Sequence, residues 1–240
     1  MFKSREFFVR LKGKYALFTN PSTKGGGEKA TYTVPTRQAL QGCVDSLYFK
    51  PTFRNVITEV KVMNPIQTEV IGTRALLGSG KADLNYVSYL TNVEYLVRFY
   101  MTWNEARPDL INDRNQKKHE AIMERSIKKG GRRDIFLGTR ECVATAEYLT
   151  QEEYEQAESY HKENVLSMGI MFQEFEYPTE DKQPLKSYFA DIVMKGGVIR
   201  FKNKEDCEVV NTLSTYNFKT QQEIKSVDKE FEEYKQMETR

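Results

Sequence analysis

Val93-Glu94-Tyr95-Leu96-Val97-Arg98-Phe99-Tyr100-Met101-Thr102-Trp103 is the stretch on which the fold turns. Val93, Tyr95, Val97, Phe99, Met101 and Trp103 recur at every second position, the side-chain period of a strand with one buried face. Upstream, Glu6 to Leu11 is an apolar-rich run ending in Lys12-Gly13-Lys14, a first strand. Pro35-Thr36 then opens a helix in which Ala39, Leu40, Cys43, Val44 and Leu47 follow at helical spacing, and Pro51 closes it. Val56, Thr58, Val60 and Val62 alternate against Glu59 and Lys61 as another strand. Residues 64–91, with Gly72, Gly78 and Gly80, read as a polar insertion.

Downstream, Pro108, Asp109 and Asn112 precede a helix reaching Lys129, which Gly130-Gly131 can end with positive backbone dihedrals. Ile135 to Leu137 and Cys142 to Tyr148 are strand again. Strand, helix, strand, strand, helix, strand is the ferredoxin-like order, so an α+β, ferredoxin-like (RRM-like) domain is expected over residues 1–149. Residues 150–163 form an acidic connector. Val165 to Tyr177 and Tyr188 to Phe201, the latter folded at Lys195-Gly196-Gly197, then make a small antiparallel sheet domain within 150–240, and a charged, marginally helical tail starts at Gln221.

The charge of the 240-residue chain is uneven although its net value is only +2. Residues 1–54 carry ten Lys/Arg against three acids, and residues 141–181 carry eleven acids against one lysine. That polarity suits one nucleic-acid face and one repelling or partner-facing side. From Lys117 to Arg133 there are seven Lys/Arg and two acids, so His119 stands in cationic surroundings. Cations hold phosphates, and a histidine moves protons near neutral pH. Together they suggest RNA-strand chemistry without a metal.

Other chemistries fare worse. Cys43, Cys142 and Cys207 are far apart, and with His119 and His161 they give no zinc-site spacing. No cofactor is expected. The sparse cysteines suit a reduced compartment, and with no signal-like N-terminus or bilayer-length apolar run the expected location is cytoplasmic, without a membrane partner. Gly78-Ser79-Gly80-Lys81 is not a phosphate loop, because Ala75 and Ala82 stand where glycine and a hydroxyl residue are needed. The aromatics of the Val93–Trp103 strand lack the RNA-recognition-motif signature and belong to the core. His119 borders an apolar stripe, which also fits a buried structural histidine. Lys117 and Lys118 leave a helix about 100° apart, and spacing does not choose between them.

Several long motifs resemble one family. They are Glu6-Phe7-Phe8-Val9-Arg10 through Tyr15-Ala16-Leu17-Phe18-Thr19, Lys24-Gly25-Gly26-Gly27-Glu28-Lys29, Tyr32-Thr33-Val34-Pro35-Thr36-Arg37-Gln38-Ala39-Leu40, Tyr48-Phe49-Lys50-Pro51, Ile66-Gln67-Thr68-Glu69, and the run Gly130-Gly131-Arg132-Arg133-Asp134 to Glu141-Cys142. The chain is similar over nearly its whole length to the Cas five family of the type I-C CRISPR system. The resemblance implies metal-independent cleavage of the repeat stem-loop in precursor CRISPR RNA. It assigns catalysis to Tyr48, Lys118 and His119, with Lys117 an unusual neighbour. It also implies that precursor and mature CRISPR RNA, and the backbone and large subunits of a type I-C effector complex, are partners.

Chemically, RNA supplies its own nucleophile, the 2′-hydroxyl, and leaves a 2′,3′-cyclic phosphate. His119 would serve as acid or base, Lys118 would offset transition-state charge, and Tyr48 would orient the 2′-hydroxyl unless a nearby cation lowers its pKa. Lys24, Lys29, Arg37, Lys117, Arg132 and Arg133 are the expected RNA contacts. A non-catalytic scaffold that caps the guide RNA 5′ end is the alternative, and a protein that binds duplex DNA is a weaker one.

Overall fold

The structure, a computed structural model, describes residues 2–23, 28–76, 82–179, 182–215 and 217, with positions 226–228, 231, 234 and 235. Lys24-Gly25-Gly26-Gly27, Gly78-Ser79-Gly80-Lys81 and most of the tail beyond Gln221 lie outside the described residues. The chain is α+β. Its elements are β1 (Phe7–Ala16), β2 (Glu28–Lys29), α1 (Arg37–Leu47), β3 (Phe53–Val62), β4 (Thr68–Leu76), β5 (Ala82–Trp103), α2 (Gln116–Lys128), β6 (Ile135–Phe136), β7 (Val143–Leu149), α3 (Gln151–Gln156), β8 (Val165–Glu176), β9 (Pro184–Lys195), β10 (Val198–Arg200) and β11 (Val209–Thr215).

The strands join in one sheet whose path runs β11-β9-β10-β3-β5-β1-β7-β6, with β2 and β4 on β5 and β8 on β9. All pairings are antiparallel except the short one between β2 and β5. The C-terminal strands hydrogen-bond to the rest through β10, where Ile199 faces Val60.

Alternation along β5 sorts the two faces. Tyr95, Val97, Phe99 and Met101 are buried in the main core with Val9 and Leu11 of β1 and with Leu40, Val44 and Leu47 of α1. The opposite face carries charges: Arg10 contacts Glu94 at 3.2 Å and Glu147 at 3.3 Å, and Arg98 is paired with Glu6. A small second cluster of Phe8, Leu96, Leu149 and Tyr154 lies there under α3. No helix among the described residues is long and apolar enough to cross a membrane.

Two sequence expectations change. Residues 64–91 are not an insertion without structure: β4 and the first part of β5 form an antiparallel hairpin from Thr68↔Leu90 to Leu76↔Ala82. Val70, Leu84 and Tyr86 are exposed on it, so no wholly buried face imposes a period of two on the sequence. In β3, Thr58 is bulged out between Ile57↔Phe99 and Glu59↔Arg98. The extra residue switches the faces. Phe53 and Ile57 point into the core before it, Val60 and Val62 after it, and Val56 and Thr58 do not join them.

The helix ends follow local chemistry. Thr36 caps α1 by accepting from the Ala39 amide, and Asn115 caps α2 by accepting from the Lys118 amide. Gly130 and Gly131, at φ +82° and +107°, end α2 as expected.

The turn between β6 and β7 presses its backbone onto the end of β1. Gly138 there has φ +98°, and a β-carbon at that position would stand 1.9 Å from the Leu17 carbonyl oxygen. Gly42, inside α1, has nothing within 4 Å of such an atom. Gly138→Ala should therefore cost about 2 kcal/mol or more, whereas Gly42→Ala should stabilise by roughly 0.5–1 kcal/mol. Urea midpoints of the two variants measure both; equal shifts would contradict the geometry.

Candidate functional site

One end of the sheet gathers chemistry from four elements. Phe53 opens β3 directly opposite Trp103, the last residue of β5. Tyr48, extended at the end of α1, and His119, in the first turn of α2, meet above this pair. The His119 ring lies 5.2 Å from the Phe53 ring and 6.0 Å from that of Trp103, measured between centroids. His119 is 0 % exposed and Tyr48 1 %.

Burial makes each polar atom answerable for a partner. His119 Nε2 lies 2.7 Å from the main-chain carbonyl of Asp113, which can only accept, so Nε2 carries the proton. A neutral ring then has its lone pair on Nδ1, and the Tyr48 hydroxyl, 2.8 Å away, donates to it. The tautomer is thus set by backbone. Asn55 steadies Tyr48 from behind by donating to its carbonyl at 3.2 Å and to Asp45 at 2.8 Å.

Burial pushes the Tyr48 phenol above its usual pKa. The Arg132 guanidinium, 4.6 Å from the ring centroid, opposes this shift, and Asp113 adds to it. Tyr48 is therefore a neutral hydroxyl, and the nearby cation does not make it a phenolate.

Lys118 joins the pair through a residue the sequence reading missed. Its Nζ lies 2.5 Å from Oδ1 of Asp113, whose Oδ2 accepts from the Thr52 hydroxyl at 2.8 Å and stands 3.5 Å from His119 Nε2. Hydrogen bonds from Lys118 and Thr52 hold the Asp113 carboxyl at about 2, well below the usual carboxylate value. The sequence leads one to expect no carboxylate beside Lys118 and His119, and Asp113 corrects that expectation. The one local hint is an acid just ahead of a basic run.

The structure brings Tyr48, Lys118 and His119 together, with Arg132 over the Tyr48 ring, and sets Lys29, Arg37 and Arg133 elsewhere on the fold. Lys117 is exposed and makes no ion pair among the described residues, so the two lysines do differ. Arg132 and Arg133 are exposed and line a groove of about 410 Å³ with Gly130, Gly131, Ala144 and Thr145. Lys29 is exposed on β2, beside β5. Arg37 is engaged within the fold: its guanidinium donates to Glu174 at 2.8 Å and to the carbonyls of Ile57 and Lys202, tying α1 to the C-terminal strands.

Comparison with known proteins places the chain in a family. Residues 8–202 match the family described as CRISPR-associated protein (Cas_Cas5), and the chain belongs to that family. A CRISPR pre-crRNA endoribonuclease, Cas5d, from Thermus thermophilus is 28% identical over 146 residues, which are 57% of this chain and 61% of that protein. The match thus spans under two thirds of the relative's length. Among solved structures, a functionally uncharacterized protein from Streptococcus mutans is 57% identical with a TM-score of 0.77, covering 88% of this chain and all of that one. A protein described as CRISPR-associated is 54% identical with a TM-score of 0.78, covering 88% of this chain and 99% of that one.

The depressed Asp113 carboxyl has a consequence for stability. A group whose pKa falls on folding stabilises the fold above its unfolded value, and that contribution is lost as pH falls through the folded one. The pH window is therefore from about 4 down to about 2. Asp113→Asn should melt below the parent at pH 6, and the gap should close as pH approaches 2. Melting temperatures of both proteins across that range test this; a gap that stays constant would count against the Asp113 network.

Proposed function

We propose that this chain is a repeat-directed endoribonuclease of a type I-C system, which cuts the stem-loop of precursor CRISPR RNA without a metal. It then keeps the product as guide RNA beside backbone and large subunits. The single observation that carries this reading is the 2.8 Å hydrogen bond from Tyr48 to His119 Nδ1, one carboxylate away from the Lys118 ammonium. The relative from Thermus thermophilus, whose name specifies a pre-crRNA endoribonuclease, supports it. We also read β1, α1, β3, β5, α2 and β7, with strand order β3-β5-β1-β7, as a ferredoxin-like unit, and the strands beyond residue 150 as a small appended domain.

In the proposed reaction the ribose 2′-oxygen attacks phosphorus and the bond to the 5′-oxygen breaks. His119 Nε2 gives its proton to the leaving 5′-oxygen, and Nδ1 takes one from Tyr48. Tyr48 recovers its proton from the 2′-hydroxyl, so protons balance and the histidine changes tautomer. Lys118 offsets the extra charge on the phosphorane-like transition state. Lys29, Lys117, Arg132 and Arg133 hold phosphates along the strand.

One observation favours the second reading, a scaffold that caps the guide without cutting. Both nitrogens of His119 are engaged internally and the ring is fully buried. Cleavage needs Nε2 released.

Incubation with the repeat RNA decides between them. Cleavage should persist in excess chelator and stop when the nucleotide 5′ of the scissile phosphate lacks its 2′-hydroxyl. His119→Ala should slow single-turnover cleavage by roughly 10²-fold or more with little change in affinity. Lys118→Ala should slow it far more than Lys117→Ala, which should mainly weaken salt-sensitive binding. Cleavage by His119→Ala at the parent rate, or activity that chelator abolishes and magnesium restores, overturns the mechanism.

A further inference from the structure

The environment of the Asp113 side chain is that of a bound anion. An ammonium at 2.5 Å, a hydroxyl at 2.8 Å and an imidazole nitrogen at 3.5 Å converge on one carboxylate, from α2 and from the residue before β3. Charged and hydroxyl donors converging in this way suit two oxygens of a phosphodiester equally well. We propose that Lys118, Thr52 and His119 form the site for the scissile phosphate of RNA, and that Asp113 fills this site in the free protein until RNA displaces it. The inference rests on the RNA-cleaving reading above and deepens it, adding Thr52 as a phosphate contact.

Three further observations converge. First, Asp113 holds His119 Nε2 through its carbonyl while its carboxylate holds Lys118, so one displacement frees both groups. Tyr48 keeps Nδ1 throughout, which preserves the orientation of the ring. Second, Asp113 ends the short 3-10 segment Pro108–Asp113, which contains no buried residue and exposes Ile111. Its Arg107–Asp109 pair is solvent-facing, Arg114 anchors its far end to Glu105 and the Asn104 carbonyl, and a segment with no buried residue opens at low cost. Thr52, by contrast, is 2 % exposed and stays with the frame. Third, the exchange conserves charge. A phosphodiester carries the same single negative charge as the carboxylate, so ground-state binding gains little at this point. A transition state with further charge gains more, which is the condition for catalysis.

The experiment uses the full chain and repeat RNA with a 2′-deoxy sugar at the scissile nucleotide, so that binding is read without cleavage. Dissociation constants are measured across a salt series for the parent, Asp113→Asn, Asp113→Ser, Lys118→Ala, the Asp113→Asn/Lys118→Ala pair, and Thr52→Val combined with each Asp113 variant, with melting curves to establish that each is folded. Both Asp113 variants should bind about 3- to 10-fold tighter, and the slope of log affinity against log salt should steepen by about 0.7–0.9, the value of one added phosphate contact. Without Lys118 that gain should vanish. Thr52→Val added to an Asp113 variant, where no carboxylate competes for the hydroxyl, should weaken binding by about 3- to 10-fold.

Unchanged or weaker binding by folded Asp113 variants overturns the inference, as does a gain that survives the loss of Lys118. Unchanged affinity when Thr52→Val is added to whichever Asp113 variant folds overturns it as well. The parent protein with unmodified repeat RNA separates the two levels. Cleavage without the affinity gain sinks only the displaced-anion site, and the affinity gain without any cleavage sinks only the endoribonuclease reading.

Discussion

Strand β5 is the constraint on which the rest depends. Its 22 residues pair with β1 and β3 over its second half and with β4 and β2 over its first. A strand flanked on both sides has its backbone groups satisfied by neighbours, and its period of two leaves one binary choice, which face goes inward. With Tyr95, Val97, Phe99 and Met101 inward, Glu94 and Arg98 must face the other way, where Arg10 and Glu6 complement them. The same choice puts Trp103 at the end of the strand opposite Phe53, which builds the floor beneath His119. Core, charged face and site share one register.

This explains what the sequence revealed and what it hid. The second half of β5, both long helices and the strand β9 announce themselves, because each buries one face and so writes its period into the sequence. The hairpin arm of β4 and β5 escapes because exposed Val70, Leu84 and Tyr86 interrupt any pattern of burial. The bulge at Thr58 escapes because a face switch is invisible to a rule that assumes constant alternation. At the site, the motif resemblance supplied Tyr48, Lys118 and His119, and local spacing alone did not choose between Lys117 and Lys118. Asp113 and Thr52 had no signal. An acid at the end of a short turn and a threonine before a strand are ordinary in sequence, and only the fold brings them within hydrogen-bond reach. The partner of Arg37 was equally hidden, since Glu174 reaches it from 137 residues away.

The Tyr48–His119 pair also places a demand on folding. Leaving either polar group buried without its partner would cost about 1–3 kcal/mol. The pair therefore holds the end of α1 against the start of α2 while fixing the histidine tautomer. Substitution of either residue acts on packing and on proton position together. Measurements that separate binding from rate are consequently more informative here than activity alone.

Under the proposed reading, burial and exposure divide the labour. Tyr48 and His119 are buried, where proton positions are set by hydrogen bonds and salt has little reach. Lys29, Lys117, Arg132 and Arg133 lie on the surface, where attraction to phosphates is long-ranged, screened by salt and indifferent to base sequence. Lys118 spans the two zones, half-exposed yet tied to the buried histidine through Asp113. An enzyme built this way holds its RNA through many weak outer contacts that do not depend on the chemistry. Cutting one phosphate removes one of those contacts at most, so the product stays bound after cleavage, and the change from processing enzyme to guide-holding subunit requires no change of fold.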